Sequence, residues 1–120
     1  MIKEDYCSYE VAKLLKEKGF PLPSTNFEDW VFCMYDENGD IQWGCYHPDY
    51  YCRVTLQMAM KWLREVPKIF IEIKMSKNTF LWGYRVTISN GRTTCFHTNI
   101  FNKYEEACEA AIKYCLKNLI

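Results

Sequence analysis

Residues 69–89 read IFIEIKMSKNTFLWGYRVTIS, and the fold turns on them. Ile69, Ile71, Ile73 and Met75 alternate with Phe70, Glu72 and Lys74. Phe80, Trp82, Tyr84, Val86 and Ile88 then alternate with Leu81, Gly83, Arg85, Thr87 and Ser89. A period of two sends successive side chains to opposite faces of a strand, so each run turns one face to a core. The "SKN" between the runs is a hairpin turn, Asn90-Gly91 is a second turn, and Arg92–Thr98 reads as a third strand.

On the C-terminal side the period changes to that of a helix. Tyr104, Ala107, Cys108, Ala111, Ile112, Cys115, Leu116 and Leu119 fall on one stripe, while Lys103, Glu105, Glu106, Glu109, Lys113 and Lys117 face water. Asn102 and Glu105 have the spacing of a capping box. On the N-terminal side, Thr55 is the expected N-cap of a helix that stops before Pro67. Its stripe of Leu56, Ala59, Met60, Leu63 and Val66, widened by Met58 and Trp62, predicts the most buried helix of the chain.

Further upstream, the apolar runs Trp30–Tyr35 and Ile41–Tyr46 flank "DENGD", whose Asn38-Gly39 adopts positive φ at low cost and marks a hairpin. Residues 20–29, with Pro21 and Pro23, are a connector. A first helix spans about residues 8–18, with Ser8 as N-cap and Cys7, Val11, Leu14 and Leu15 as its apolar stripe. Gly19 fits the left-handed residue of a Schellman ending that folds Phe20 back on Leu15. "EVAKLL" has a helix-turn-helix flavour, but the two prolines leave no second helix a short turn away.

The expected fold is therefore α+β in the order α-β-β-α-β-β-β-α, one domain over residues 1–120. It comprises one antiparallel sheet of about five strands with helices packed on one face. An offset of 52 maps Trp30 to Trp82, Asn38-Gly39 to Asn90-Gly91, Ala59 to Ala111 and Lys61 to Lys113. If this ββα repeat is a true duplication, the second and third helices pack equivalently on one continuous sheet.

Composition narrows the function. The 120 residues carry 15 Lys+Arg and 15 Asp+Glu, which removes the excess of positive charge that marks a strongly basic nucleic-acid binder. At 49% hydrophobic and 17% aromatic residues the chain has the makings of a core. No apolar run reaches the ~18 residues of a membrane span, and residues 1–10 have no signal-peptide core, so the expected setting is the cytoplasm with no membrane partner. Seven cysteines, an odd number with no C-x-x-C pair, argue against a disulfide framework; Cys108 and Cys115 read as small hydrophobes.

The blocks SYEVAKLLKEKGF, TLQMAMKWLREV and YEEACEAAIKYCLKNLI resemble small hypothetical proteins carried by phages and mobile elements of gut bacteria. The resemblance covers most of the chain. It implies a bacterial cytosolic setting and an accessory binding protein rather than a metabolic enzyme, and it carries over no catalytic residues.

Two constellations could bear chemistry. The Cys-x-His steps Cys45/His47 and Cys95/His97 each place a thiol and an imidazole on one strand face, and together could form a Cys2His2 zinc site. The spacing does not match a knuckle, and Phe96 looks the better core residue of its strand, so ordinary strand residues are the preferred reading and no metal or cofactor is assigned. A thiol enzyme on the same residues lacks a local signature. The second constellation is aromatic: Tyr46, His47, Tyr50 and Tyr51 crowd the loop before the second helix, where periodicity does not ask for rings, and Arg53 could anchor an acidic partner. Lys61, Arg64, Lys68, Lys74, Lys77, Arg85 and Arg92 are candidate phosphate contacts, offset by Glu65, Glu72 and the acidic face of the last helix. The expected function is a non-catalytic module acting by protein–protein contact. A nucleic-acid-binding accessory protein ranks second and a Cys/His metal or thiol protein third.

Overall fold

The computed structural model describes residues 5–21, 32–44 and 47–120. Among these residues nine elements follow in order: α1 (Tyr9–Glu17), β1 (Phe32–Tyr35), β2 (Ile41–Gly44), β3 (Tyr51–Cys52), α2 (Leu56–Glu65), β4 (Phe70–Met75), β5 (Trp82–Thr87), β6 (Thr93–Phe101) and α3 (Tyr104–Asn118). The α+β order matches the expectation, with the two-residue β3 added where a loop was expected.

The sheet does not match. In place of one sheet of about five strands, the described residues form two antiparallel sheets of three, ordered β2-β1-β3 and β4-β5-β6. The physical reason lies in β3: Met34 pairs with Cys52 and Tyr35 with Tyr51, so the second edge of β1 is taken by a local strand and not by β4–β6.

The two halves keep the same turn. Asp36 N–H donates to Asp40 O and Gly39 N–H to Asp36 O; 52 residues on, Ile88 N–H donates to Arg92 O and Gly91 N–H to Ile88 O. Gly39 and Gly91 sit at φ +85° and +84°, while Asn38 and Asn90 keep negative φ. Both are thus three-residue loops ending in a left-handed glycine, not two-residue turns with both residues at positive φ. The helices do not follow the repeat. α3 lies across β4, β5 and β6, whereas α2 packs on β4 and on α3 itself, so their packing is not equivalent.

α3 is the centre of the core. Ala107, Cys108, Ala111, Ile112, Cys115 and Leu116 are fully buried, on the expected stripe. They lie in one core with Val11 and Leu15 of α1, Leu56, Ala59 and Leu63 of α2, Ile69 just before β4, and Tyr84 and Val86 of β5. α2 is not the most buried helix: Met58 is 52% and Val66 62% exposed, because α2 lies at the margin of the sheet and buries only the Leu56–Ala59–Leu63 line. Its Thr55 cap forms as expected, accepting from Met58 N–H at 3.1 Å. The Schellman ending of α1 also forms, with Phe20 N–H on Leu15 O and Gly19 N–H on Lys16 O. The capping box of α3 does not. Its N-cap is Lys103, with no side-chain cap hydrogen bond. Among the described residues no helix is long and apolar enough to cross a membrane.

Candidate binding surface

Direct antiparallel partners share a face, so the register of the first sheet sorts its side chains. Ile41, Tyr35 and Tyr51 form one row, and Trp43 with Cys33 the next. Arg53 extends that second row, since its N–H donates to Cys33 O. α1 lays Tyr9 onto this face, edge-on to Tyr35 at 5.8 Å and to Tyr51 at 5.6 Å between ring centres.

Cations complete the cluster. The Lys13 ammonium lies 5.3 Å from the Tyr9 ring centre, the Lys16 ammonium 5.1 Å from that of Tyr51, and the Arg53 guanidinium 4.3 Å from Tyr6 and 5.5 Å from Tyr35. Each such contact contributes roughly 0.5–1 kcal/mol where water reaches it. None of the three cations is in an ion pair among the described residues. Lys16 instead donates to the carbonyls of Pro48 and Tyr50, which ties the aromatic loop to α1. Arg53 donates from Nη1 to Cys33 Sγ at 3.0 Å, and its buried Nε has no hydrogen-bond partner among the described residues. Hydroxyls pin the rings: Tyr9 donates to Glu37 O at 2.8 Å and Tyr35 to Cys7 O at 2.7 Å.

The expected site residues divide as follows. Tyr51 and Arg53 join the cluster. His47 and Tyr50 stack on each other at 4.1 Å between ring centres, and His47 Nδ1 accepts the Asp49 N–H at 3.1 Å. Tyr46 and Cys45 lie outside the described residues. At the outer ends of these two rows stand Trp43, 70% exposed, and Ile41, 50% exposed, both on the edge strand β2. Sequence reading took them for ordinary strand residues and missed Tyr6, Tyr9 and Tyr35 as partners of the cations. The available signal was that Tyr6 and Tyr9 fall off the apolar stripe of α1.

The remaining described thiols and imidazoles do not gather into one site, although Cys7 lies near Cys108, Cys115 near Cys95, and Cys95 and His97 both approach Tyr84. Cys95 turns to the core, its Sγ 3.8 Å from the Tyr84 hydroxyl, whereas Phe96, expected as the core residue of its strand, is 53% exposed. The cause is the pairing of Phe96 with Arg85 on the outer face and of Cys95 with buried Val86. His97 is exposed at the edge of β6, its ring 5.2 Å from that of Tyr84. Among the described residues no three His, Cys, Asp or Glu side chains gather to hold a metal ion. Burial pushes the Cys7 and Cys115 thiols up to about 12 and Cys108 to about 11, so all three are protonated near neutrality.

Asp36 ends β1 and organises the first turn. Its carboxylate accepts from Gln42 Nε2 at 3.0 Å and from the N–H groups of Asn38 and Asp40, which holds its pKa below the usual carboxylate range. The turn thereby fixes the β1–β2 register that places Ile41 and Trp43 on the tyrosine face. No family model matches the chain, and neither curated proteins nor solved structures give a match.

Proposed function

We propose that this chain is a non-catalytic binding module that acts by protein–protein contact through the β2-β1-β3 face. The observation that carries the reading is Trp43, an indole 70% exposed beside half-exposed Ile41 on an edge strand. Tryptophan, tyrosine and arginine dominate the energetics of protein interfaces because they bring large area with few rotatable bonds. Here the tyrosines are already held by ring, cation and hydroxyl contacts, so docking would cost little further side-chain entropy. The partner on this reading offers an apolar pocket for the indole. β2, an edge strand among the described residues, could also offer backbone hydrogen bonds. The fully protonated core thiols favour contact over covalent chemistry. The setting we propose is a bacterial cytoplasm, as for the small phage and mobile-element proteins that the three sequence blocks resemble.

The test compares affinity recovery of partners by the wild-type chain, by Trp43→Ser and by Tyr50→Ala/Tyr51→Ala. A partner held by the wild type and lost specifically with Trp43→Ser supports the proposal. Equal recovery by all three overturns it.

A further inference from the structure

We propose that the outer face of the β4-β5-β6 sheet is a binding site for single-stranded nucleic acid, separate from the Trp43 surface. Residues 68–103 hold six basic residues (Lys68, Lys74, Lys77, Arg85, Arg92 and Lys103) and one acidic residue, Glu72. A net +5 is thus concentrated in the second sheet and its turns, in a chain whose total is zero. α3 packs on the side of this sheet that carries Tyr84 and Val86, away from Arg85 and Phe96, so of the six cations only Lys103, its N-cap, stands beside the helix's first-turn Glu105 and Glu106.

Register places the chemistry on the open face. Phe70 pairs with Thr87, Glu72 with Arg85, Lys74 with Gly83, and Arg85 with Phe96. Glu72 is held within the face by Lys74 at 3.2 Å and Arg85 at 3.9 Å, which leaves it neutralised. The Arg85 guanidinium lies 4.9 Å from the centre of the Phe96 ring, and that ring and Phe70 are both exposed to solvent.

Antiparallel order sets the remaining cations at the ends. Lys77, in the β4–β5 turn, and Lys103, after β6, fall at one end; Lys68, before β4, and Arg92, in the β5–β6 turn, fall at the other. A groove of about 260 Å3 runs beside Phe96, walled by Lys74, Arg85 and Met75. Its depth comes from Gly83, where β6 bulges so close that a side chain would strike the His97 carbonyl oxygen. Rings on a sheet with cations at either end suit an unpaired strand: bases stack on aromatic faces while phosphates meet Lys and Arg. A duplex hides its bases and gains only the phosphate contacts.

The experiment is fluorescence anisotropy of a labelled 20-nucleotide oligo-dT with the full chain at 50 mM salt. A 20-base-pair duplex and a labelled poly-Glu 20-mer serve as comparisons, and circular dichroism checks the fold of each variant. Saturable oligo-dT binding is expected, weakened at least tenfold by Lys74→Glu/Arg85→Glu and severalfold by Phe96→Ala. The slope of log affinity on log salt should be near −2, for about three phosphate contacts. Trp43→Ser should bind like the wild type. No binding at 100 μM protein overturns the proposal. So does duplex or poly-Glu binding as tight as that of oligo-dT, or oligo-dT affinity unchanged in folded Phe96→Ala and Lys74→Glu/Arg85→Glu.

Discussion

Gly83→Ala is the sharpest single perturbation of the second sheet. A Cβ built there falls 2.1 Å from His97 O, 2.7 Å from Thr98 Cα and 3.0 Å from His97 C. Ordinary contacts of these kinds are longer than 3 Å, so β6 must move by roughly 1 Å, and the obstructing atoms are backbone that no rotamer change can clear. Over-packing costs about 1–3 kcal/mol and more where the surroundings cannot give. Replacing a strand glycine by alanine returns roughly 0.5–1 kcal/mol through the unfolded chain. The net expectation is a loss of about 2–3 kcal/mol, or near 10 °C in Tm for a domain of this size. Gly91→Ala is the control: nothing lies within 4 Å of its added carbon, but φ is +84°, so only the left-handed penalty of about 1–2 kcal/mol applies. Urea unfolding of the two variants and wild type separates steric from conformational cost. If Gly83→Ala lies within about 0.5 kcal/mol of wild type, or is milder than Gly91→Ala, the account of the β6 bulge is wrong.

Two further outcomes follow from the core. Leu116→Ala, on the fully buried stripe of α3, should cost about 3 kcal/mol in chemical unfolding, whereas Met58→Ala on the exposed side of α2 should stay within about 0.5 kcal/mol; similar costs would contradict the central place of α3. Stability should also fall as pH rises above 9. The Cys7, Cys108 and Cys115 thiols stay protonated in the fold to about 11–12 but ionise near 9 once unfolded, so the native state binds more protons over that window. Each thiol adds up to about 1.4 kcal/mol per pH unit of destabilisation. Urea midpoints at pH 8, 9 and 10 should drop for wild type and drop less for the triple alanine variant; parallel curves would refute the linkage.

Where one residue's periodicity decides one contact, the sequence was legible. The alternation of Ile69 to Val86 and the stripe from Ala107 to Leu116 both describe faces that meet in the core, and Ser8, Thr55 and Gly19 cap helices through bonds to residues only a few positions away. What escaped was long-range. Whether β1 pairs with β4 or with Tyr51–Cys52 is a competition between distant partners that local pattern does not encode, and the two-residue β3 is too short to show a period. Phe96 misled because hydrophobicity argued inward while register, set by its pairing with Arg85, turned it outward. At the candidate surface Arg53 was visible from its place beside the Tyr50-Tyr51 pair. Its partners Tyr6 and Tyr35 were not, since they reach it from α1's approach and from β1.

The two sheets share no strand pairing among the described residues, so helix packing and the short Tyr6–Thr55 bridge carry the connection between the halves. A protein joined this way need not loosen all at once. The half built on α3 owns most of the buried side chains, while the β2-β1-β3 sheet adds buried Met34 and is tied to α1 and the residues before it by ring contacts and a few side-chain hydrogen bonds. Hydrogen exchange in the first sheet should therefore proceed by partial opening well before global unfolding. A ligand seated on Trp43 would act as a clamp, slowing exchange in β1 and β2 while leaving β5 at its native pace.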